Sequence, residues 1–227
     1  MPSMTHSGTD FGGYDPVTAI VEGQATGEVA EIFADIRATM GIPLVTSIWR
    51  GLAGVEGALP AVWRAVEPLY RTGAPEAALD ALGVEMQTPS LAPISRQELK
   101  SAGVDARDLK ILRSVIDVYN RSNGLNLVTL SALIASSASA PFDTSPPEAA
   151  PEWPELPVLL EAEEISGVTW DVLRELNSLG PDTPSAIATL WRHIAHWPDF
   201  LTLVLQRTQD LRRDGDLAAL ARLREVD

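Results

Sequence analysis

Three histidines and no cysteine limit the metal and nucleophile chemistry open to this chain. Without cysteine there is no disulfide framework, thiolate zinc site, Fe–S cluster or Cys nucleophile. His193 and His196 lie three apart beside Asp199, which is the spacing of a two-His, one-carboxylate metal site on a helix. Trp191, Ile194 and Trp197 surround them and no further histidine is near. The favoured alternative is a helix end where one imidazole meets the negative dipole and the other is exposed, with no metal and no cofactor. Asp214-Gly-Asp216 has an Asp-x-Asp spacing, but no strand precedes it and it reads as a polar turn. Gly12-Gly13 is likewise no phosphate loop, since no Gly-rich strand–helix junction occurs. Trp49-Arg50 and Trp191-Arg192 form a more telling pair. Two arginines facing one groove would clamp a carboxylate bidentately. In the favoured alternative each Trp packs in the core and each Arg snorkels to the surface.

The charge balance narrows the partners. Seventeen basic against 31 acidic residues give a net charge of −14, which repels phosphate backbones and argues against nucleic acid. Met1 to Pro16 has no basic region followed by an apolar run, so a cytoplasmic protein is expected. Ser122 to Phe142 carries no charge and is long enough to span a bilayer. It holds two Asn, a Thr, a Gly, a Pro and several Ser, and its compact apolar part runs only from Leu125 to Ala135. A buried core helix is expected there, with no membrane partner.

The elements that would position these groups are helical. Val29, Ile32, Phe33, Ile36 and Met40 make one helix face, with Thr26 at its cap and Gly41 and Pro43 at its end. Ile48, Trp49 and Leu52 mark a second helix. Leu59, Val62, Trp63, Val66 and Tyr70 mark a third, which Pro68 should end or kink. Ser95-Arg-Gln-Glu98 is a capping box opening a short helix that Gly103 closes. A longer helix from Asp105 carries Leu109, Leu112, Val115, Ile116 and Tyr119, and Asn120-Arg-Ser-Asn-Gly124 is expected to break it. No period-2 run of β-branched residues stands between turns, so the fold class is all-α.

The second half echoes the first. Thr26-Gly27 matches Ser166-Gly167 at an offset of 140, and Trp49-Arg50 matches Trp191-Arg192 at 142. The pattern predicts tandem pseudo-symmetric helical repeats: an N-terminal tail 1–24, a first repeat 25–137, a Pro-rich solvated linker 138–160 and a shortened second repeat 161–227. A groove between such repeats would seat a ligand, and a homodimer would close its open side.

Four blocks carry a family resemblance. They are Ala25 to Pro43, Leu59-Pro-Ala-Val-Trp63, Tyr119-Asn-Arg-Ser-Asn123, and His196-Trp-Pro-Asp-Phe-Leu201 after Gly180-Pro181. In order and spread, over roughly 25–205, they resemble the non-stereospecific (group I) 2-haloacid dehalogenases. The resemblance implies two helical repeats with a site between them. It also implies hydrolysis of both enantiomers of short 2-haloacids by a carboxylate-activated water, with no covalent ester and no cofactor. Matched to the family's motifs, Asn123 would orient water or substrate, and Thr72 and Glu76 would correspond to a Thr/Glu pair four apart. The family's water-activating Asp falls on Leu190, which cannot accept a proton. Asp182 is the nearest substitute, and a base must come within hydrogen-bond reach. Three functions follow as expectations: a dehalogenase-like hydrolase with lost or altered activity, a non-catalytic small-carboxylate binder that keeps the fold, or a structural module. The partner implied by the first two is a small carboxylate, and Arg50 and Arg192 are its candidate ligands.

Overall fold

The computed structural model describes residues 19–85, 91–135, 149–178 and 187–214, and every regular element among them is a helix. Contacts divide the chain into two interleaved units. One draws on Val17–Gln87 and Ile116–Leu156, the other on Thr88–Val115 and Pro157–Asp227. This interleaved division differs from the contiguous blocks expected from the sequence, because residues 88–115 group with the C-terminal stretch.

In the first unit, α1 (Gly27–Met40) packs on α3 (Ala58–Tyr70), and α2 (Ser47–Ala53) and α4 (Ala74–Glu85) also pack on α3. Phe33, Ile36 and Met40 of α1 meet Trp49 of α2 and Leu59, Trp63, Val66 and Tyr70 of α3 in one core. Those are the helical-period positions of the sequence. Trp49 and Trp63 meet edge to face at 5.4 Å, and Tyr70 stacks on Trp63 at 5.7 Å. Thr26 occupies the cap of α1, but its hydroxyl makes no cap bond. Gly41 ends α1 at φ 62°, and a Cβ there would lie 2.9 Å from the Ala150 Cβ. Both the left-handed backbone and the close approach require glycine. Pro68 is housed inside α3, which continues to Tyr70.

The capping box forms as expected at α5 (Arg96–Ser101): the Ser95 hydroxyl accepts from Glu98 N, and Ser95 N donates to the Glu98 carboxylate at 2.8 Å. The expected break after Tyr119 does not occur, because α6 runs unbroken from Ala106 to Ala135. Val115, Val118, Tyr119, Ser122, Leu125, Asn126 and Thr129 form one buried stripe along it. That burial outweighs the local turn signal of Asn-Gly. Gly124 is there for space, not for a turn: a Cβ would sit 2.7 Å from a methyl of Leu79.

In the second unit, α7 (Gly167–Asn177) packs on α9 (Pro198–Asp214), with α8 (Thr189–Ile194) against both. Ser166 caps α7 by accepting from Thr169 N at 3.2 Å. Trp170, Leu173, Leu176, Ile194, Leu201 and Leu205 are among its buried residues. The described part of the Pro-rich stretch is exposed or half-buried throughout, and two of its residues tie it down. Trp153 and Leu156 pack against the first unit's core, and Trp153 Nε1 donates to Gly41 O at 2.8 Å. Among the described residues no helix is long and apolar enough to cross a membrane.

Candidate functional site

The densest polar construction lies inside the first unit, around Asn126. Its Oδ1 accepts from Trp49 Nε1 at 3.2 Å and from the Tyr70 hydroxyl at 2.9 Å. Its Nδ2 donates to Thr46 Oγ1 at 3.3 Å and to Ser122 Oγ at 3.4 Å, and those two hydroxyls lie 3.0 Å apart. All five residues are buried. A side-chain amide with two acceptor and two donor bonds is fully used, so this network holds α2, α3 and α6 in register. It offers no open valence to a ligand.

Beside it stand the sequence candidates Thr72 and Glu76. Thr72 precedes α4, donates to Leu69 O at 2.6 Å and accepts from Ala74 N at 3.2 Å. Its hydroxyl therefore closes the α3–α4 turn, and the pair does not share a helical face. Glu76 sits in the first turn of α4, where its Oε1 pairs with Arg121 Nη2 at 3.2 Å. Arg121 Nε donates in turn to Met40 O at 2.7 Å, which fixes the guanidinium. Glu76 Oε2 is buried without a hydrogen-bond partner. Asn123 is exposed, on the outer face of α6. Burial pushes the Tyr70 phenol up to about 12, with the Thr129 hydroxyl opposing and the Glu76 charge adding to the rise.

The remaining candidates fall in two places. Arg50 belongs to the first unit and is 5% exposed; its Nε donates to Ile20 O at 2.9 Å while Ile20 N donates to Arg50 O at 3.1 Å. Arg192 belongs to the second and is 1% exposed, with Nε and Nη2 donating to Leu160 O at 3.0 and 2.6 Å. Neither arginine snorkels. Each is drawn inward by a backbone carbonyl about thirty residues upstream, Ile20 O for Arg50 and Leu160 O for Arg192, which supplies the desolvated guanidinium with an acceptor. Ile20 and Leu160 are themselves 140 apart, the offset found in the sequence.

Leu190 is half-buried on α8 and brings no carboxylate. Asp182 lies outside the described residues. His193 is buried and donates from Nε2 to Pro157 O at 2.5 Å, and His196 does so to Val158 O at 2.8 Å. Burial holds the His193 pKa below its ordinary value, against the pull of the Pro157 carbonyl. Both imidazoles are thus bonded to backbone, and among the described residues no group of three or more His, Asp or Glu could hold a metal.

Sequence reasoning passed over Asn126, Tyr70, Arg121 and Thr129 as site residues. Asn126 and Thr129 did carry a signal: both continue the Ser122 stripe at helical spacing once the Asn-Gly step is read through as helix.

No protein-family model matches the chain. It is similar to a 2-haloacid dehalogenase, configuration-inverting, of Alcaligenes xylosoxydans xylosoxydans, 28% identical over 89% of this chain and 69% of that protein. It is also similar to an (R)-2-haloacid dehalogenase of Rhizobium sp. (strain NHG3), 23% identical over 90% of this chain and 82% of that one. Among solved structures, a D-2-haloacid dehalogenase with L-LA superposes at TM-score 0.70 and 21% identity, covering 85% of this chain and 70% of that one. A mutant of such an enzyme with D-2-CPA gives TM-score 0.69. The fold is therefore that of helical 2-haloacid dehalogenases. The expected likeness to the non-stereospecific group I family is corrected: these proteins are named for (R)- or D-2-haloacids or for inversion of configuration, not for accepting both enantiomers.

Proposed function

We propose that this protein is a 2-haloacid dehalogenase-like protein that takes short 2-substituted carboxylic acids of R configuration, with hydrolysis altered or weakened at residue 190. The likeness to (R)-2-haloacid and configuration-inverting dehalogenases supports the substrate class. Direct attack by water on C2 with departure of halide inverts that carbon, so an (R)-2-haloacid would give the (S)-2-hydroxy acid. The observation that carries the altered activity is Leu190, an apolar side chain at the position matched to a water-activating carboxylate. The buried bonds of Arg50 and Arg192 to backbone carbonyls favour a structural role for both, and we assign neither to the ligand.

The same leucine favours a second reading, a small-carboxylate-binding protein without turnover. Halide release from (R)- and (S)-2-chloropropionate by the native chain and by Leu190→Asp, beside thermal melts with each acid, separates the two. The expected result is a raised melting temperature with the R acid, slow halide release by the native chain and release about 100-fold faster in Leu190→Asp. Melting shifts without turnover by either version support the binding reading. Rapid native release that Leu190→Asp leaves unchanged overturns the assignment of position 190.

A further inference from the structure

The stretch from Pro157 to Leu160 has no regular secondary structure. Among the described residues Pro157, Val158 and Leu159 make no backbone–backbone hydrogen bond, and Pro157 has no N–H to give to one. Side chains of α8 and of the turn after it hold the stretch instead. His193 Nε2 donates to Pro157 O at 2.5 Å, His196 Nε2 to Val158 O at 2.8 Å, and Arg192 Nη2 to Leu160 O at 2.6 Å. Arg192 and His193 are in the last turn of α8, so residues 157–160 lie as a strap on that helix end. Strap and helix belong to one unit.

The two imidazoles are not equivalent. His196 is exposed, whereas His193 is 4% exposed and adjoins Arg192, itself 1% exposed. A neutral imidazole gives its one N–H to the carbonyl and adds no charge. Protonation puts a second cation beside the Arg192 guanidinium, with little water to screen either. The charges acting on His193 are those of His196 and Arg192, and both oppose its protonation. Glu161, just past the strap, faces Arg192 at 3.6 Å. Of the charged side chains described on α7 and α9, the helices packed on α8, Asp171 pairs with Arg174 and Arg207 with Glu98, while Glu175 and Asp199 are exposed. The closed strap thus favours neutral His193, and an imidazole that reaches water takes up its proton at higher pH. Falling pH therefore favours the open strap. We propose that α8 is an acid-released latch: neutral His193 and Arg192 keep the 157–160 strap on the helix end, and protonation of His193 beside Arg192 frees it. His193 senses the proton, Arg192 supplies the fixed charge that makes it costly, and His196 is a tether.

The chain has three histidines, so each ring can be followed by NMR in histidine-labelled protein. The His193 titration is measured between about pH 7.5 and pH 5, beside the amide signals of Val158, Leu159 and Leu160. Thermolysin cleavage is timed over the same range for the native chain, His193→Gln and His196→Gln, with an unstructured peptide correcting for the protease's own pH dependence. The expected result is that the three amide signals move with the His193 midpoint. Cleavage within 158–160 should quicken by up to about tenfold per pH unit, the limit for one proton. His193→Gln, whose amide still donates but does not titrate, loses that rise, and His196→Gln keeps it. A His193→Gln chain cleaved fast at both ends of the range supports the latch as well, because the imidazole is then what holds the strap. Amide signals that stay fixed while His193 titrates overturn the proposal, as does a His193 that stays neutral throughout. A native acid response in His193→Gln overturns it too. So does cleavage that begins as readily inside α1 or α3, which marks the acid effect as global unfolding.

Discussion

Replacing Asn126 with leucine, which has the same branching and the same number of non-hydrogen atoms, removes the hydrogen bonding of the buried network without leaving a cavity. The substitution strands Trp49 Nε1 and the Tyr70 hydroxyl, the two donors now satisfied by Asn126 Oδ1 at 3.2 and 2.9 Å. Thr46 and Ser122 keep each other at 3.0 Å and lose little. Two buried donors at about 1–3 kcal/mol each give a loss of about 2–6 kcal/mol, a large part of the roughly 5–15 kcal/mol typical of a folded chain. Urea unfolding should show a lower midpoint at unchanged slope, the mark of a lost native interaction rather than an altered unfolded state. A Tyr70→Phe background removes one stranded donor beforehand, so the same leucine should cost about 1–3 kcal/mol less there. A cost below about 1 kcal/mol, or strict additivity with Tyr70→Phe, would refute the account of Asn126 as the hub holding α2, α3 and α6.

Other outcomes follow from the geometry. Because burial depresses the His193 pKa, the unfolded state binds this proton first as pH falls. His193 therefore contributes stability that is present above its ordinary value of 6.5 and is lost on acidification below it. Native melting temperature should fall between about pH 7 and pH 5 more steeply than that of His193→Asn, and parallel curves would exclude His193 as the cause. Gly41→Ala forces a left-handed alanine against Ala150 and should cost about 2–4 kcal/mol in urea unfolding; a value within about 0.5 kcal/mol of native would show that the 149–156 segment does not close on α1 as described.

The helices of the first unit were legible because their apolar residues recur at helical spacing, and Phe33, Ile36, Met40, Trp63, Val66 and Tyr70 are all buried where that period sends them. The Ser95 box and the Gly41 stop were legible because caps are local chemistry, satisfied within a few residues of sequence. The Asn120–Gly124 stretch of α6 was not legible, because a local turn signal competes there with burial. The winning contact, Leu79 pressed on Gly124, comes from another helix. The two arginines escaped the sequence for the same reason. A long cationic side chain defaults to solvent, and only the carbonyls of Ile20 and Leu160, about thirty residues upstream, draw these two inward.

Residue types alone determined that this chain builds helices, carries no thiol chemistry and has a strong excess of acidic charge. Period and caps set the elements, since each depends on neighbours a few residues away. Which polar groups are used up and which are left over was decided only by tertiary structure. Thr72 is consumed by a turn, Asn123 faces outward and Asn126 is saturated by contacts from three helices and the residue ahead of α2. Glu76 pairs through Oε1 with Arg121 and keeps Oε2 bare in the interior. Hydrogen-bond satisfaction is a property of the whole packed arrangement, so no spacing in the sequence could have told those outcomes apart.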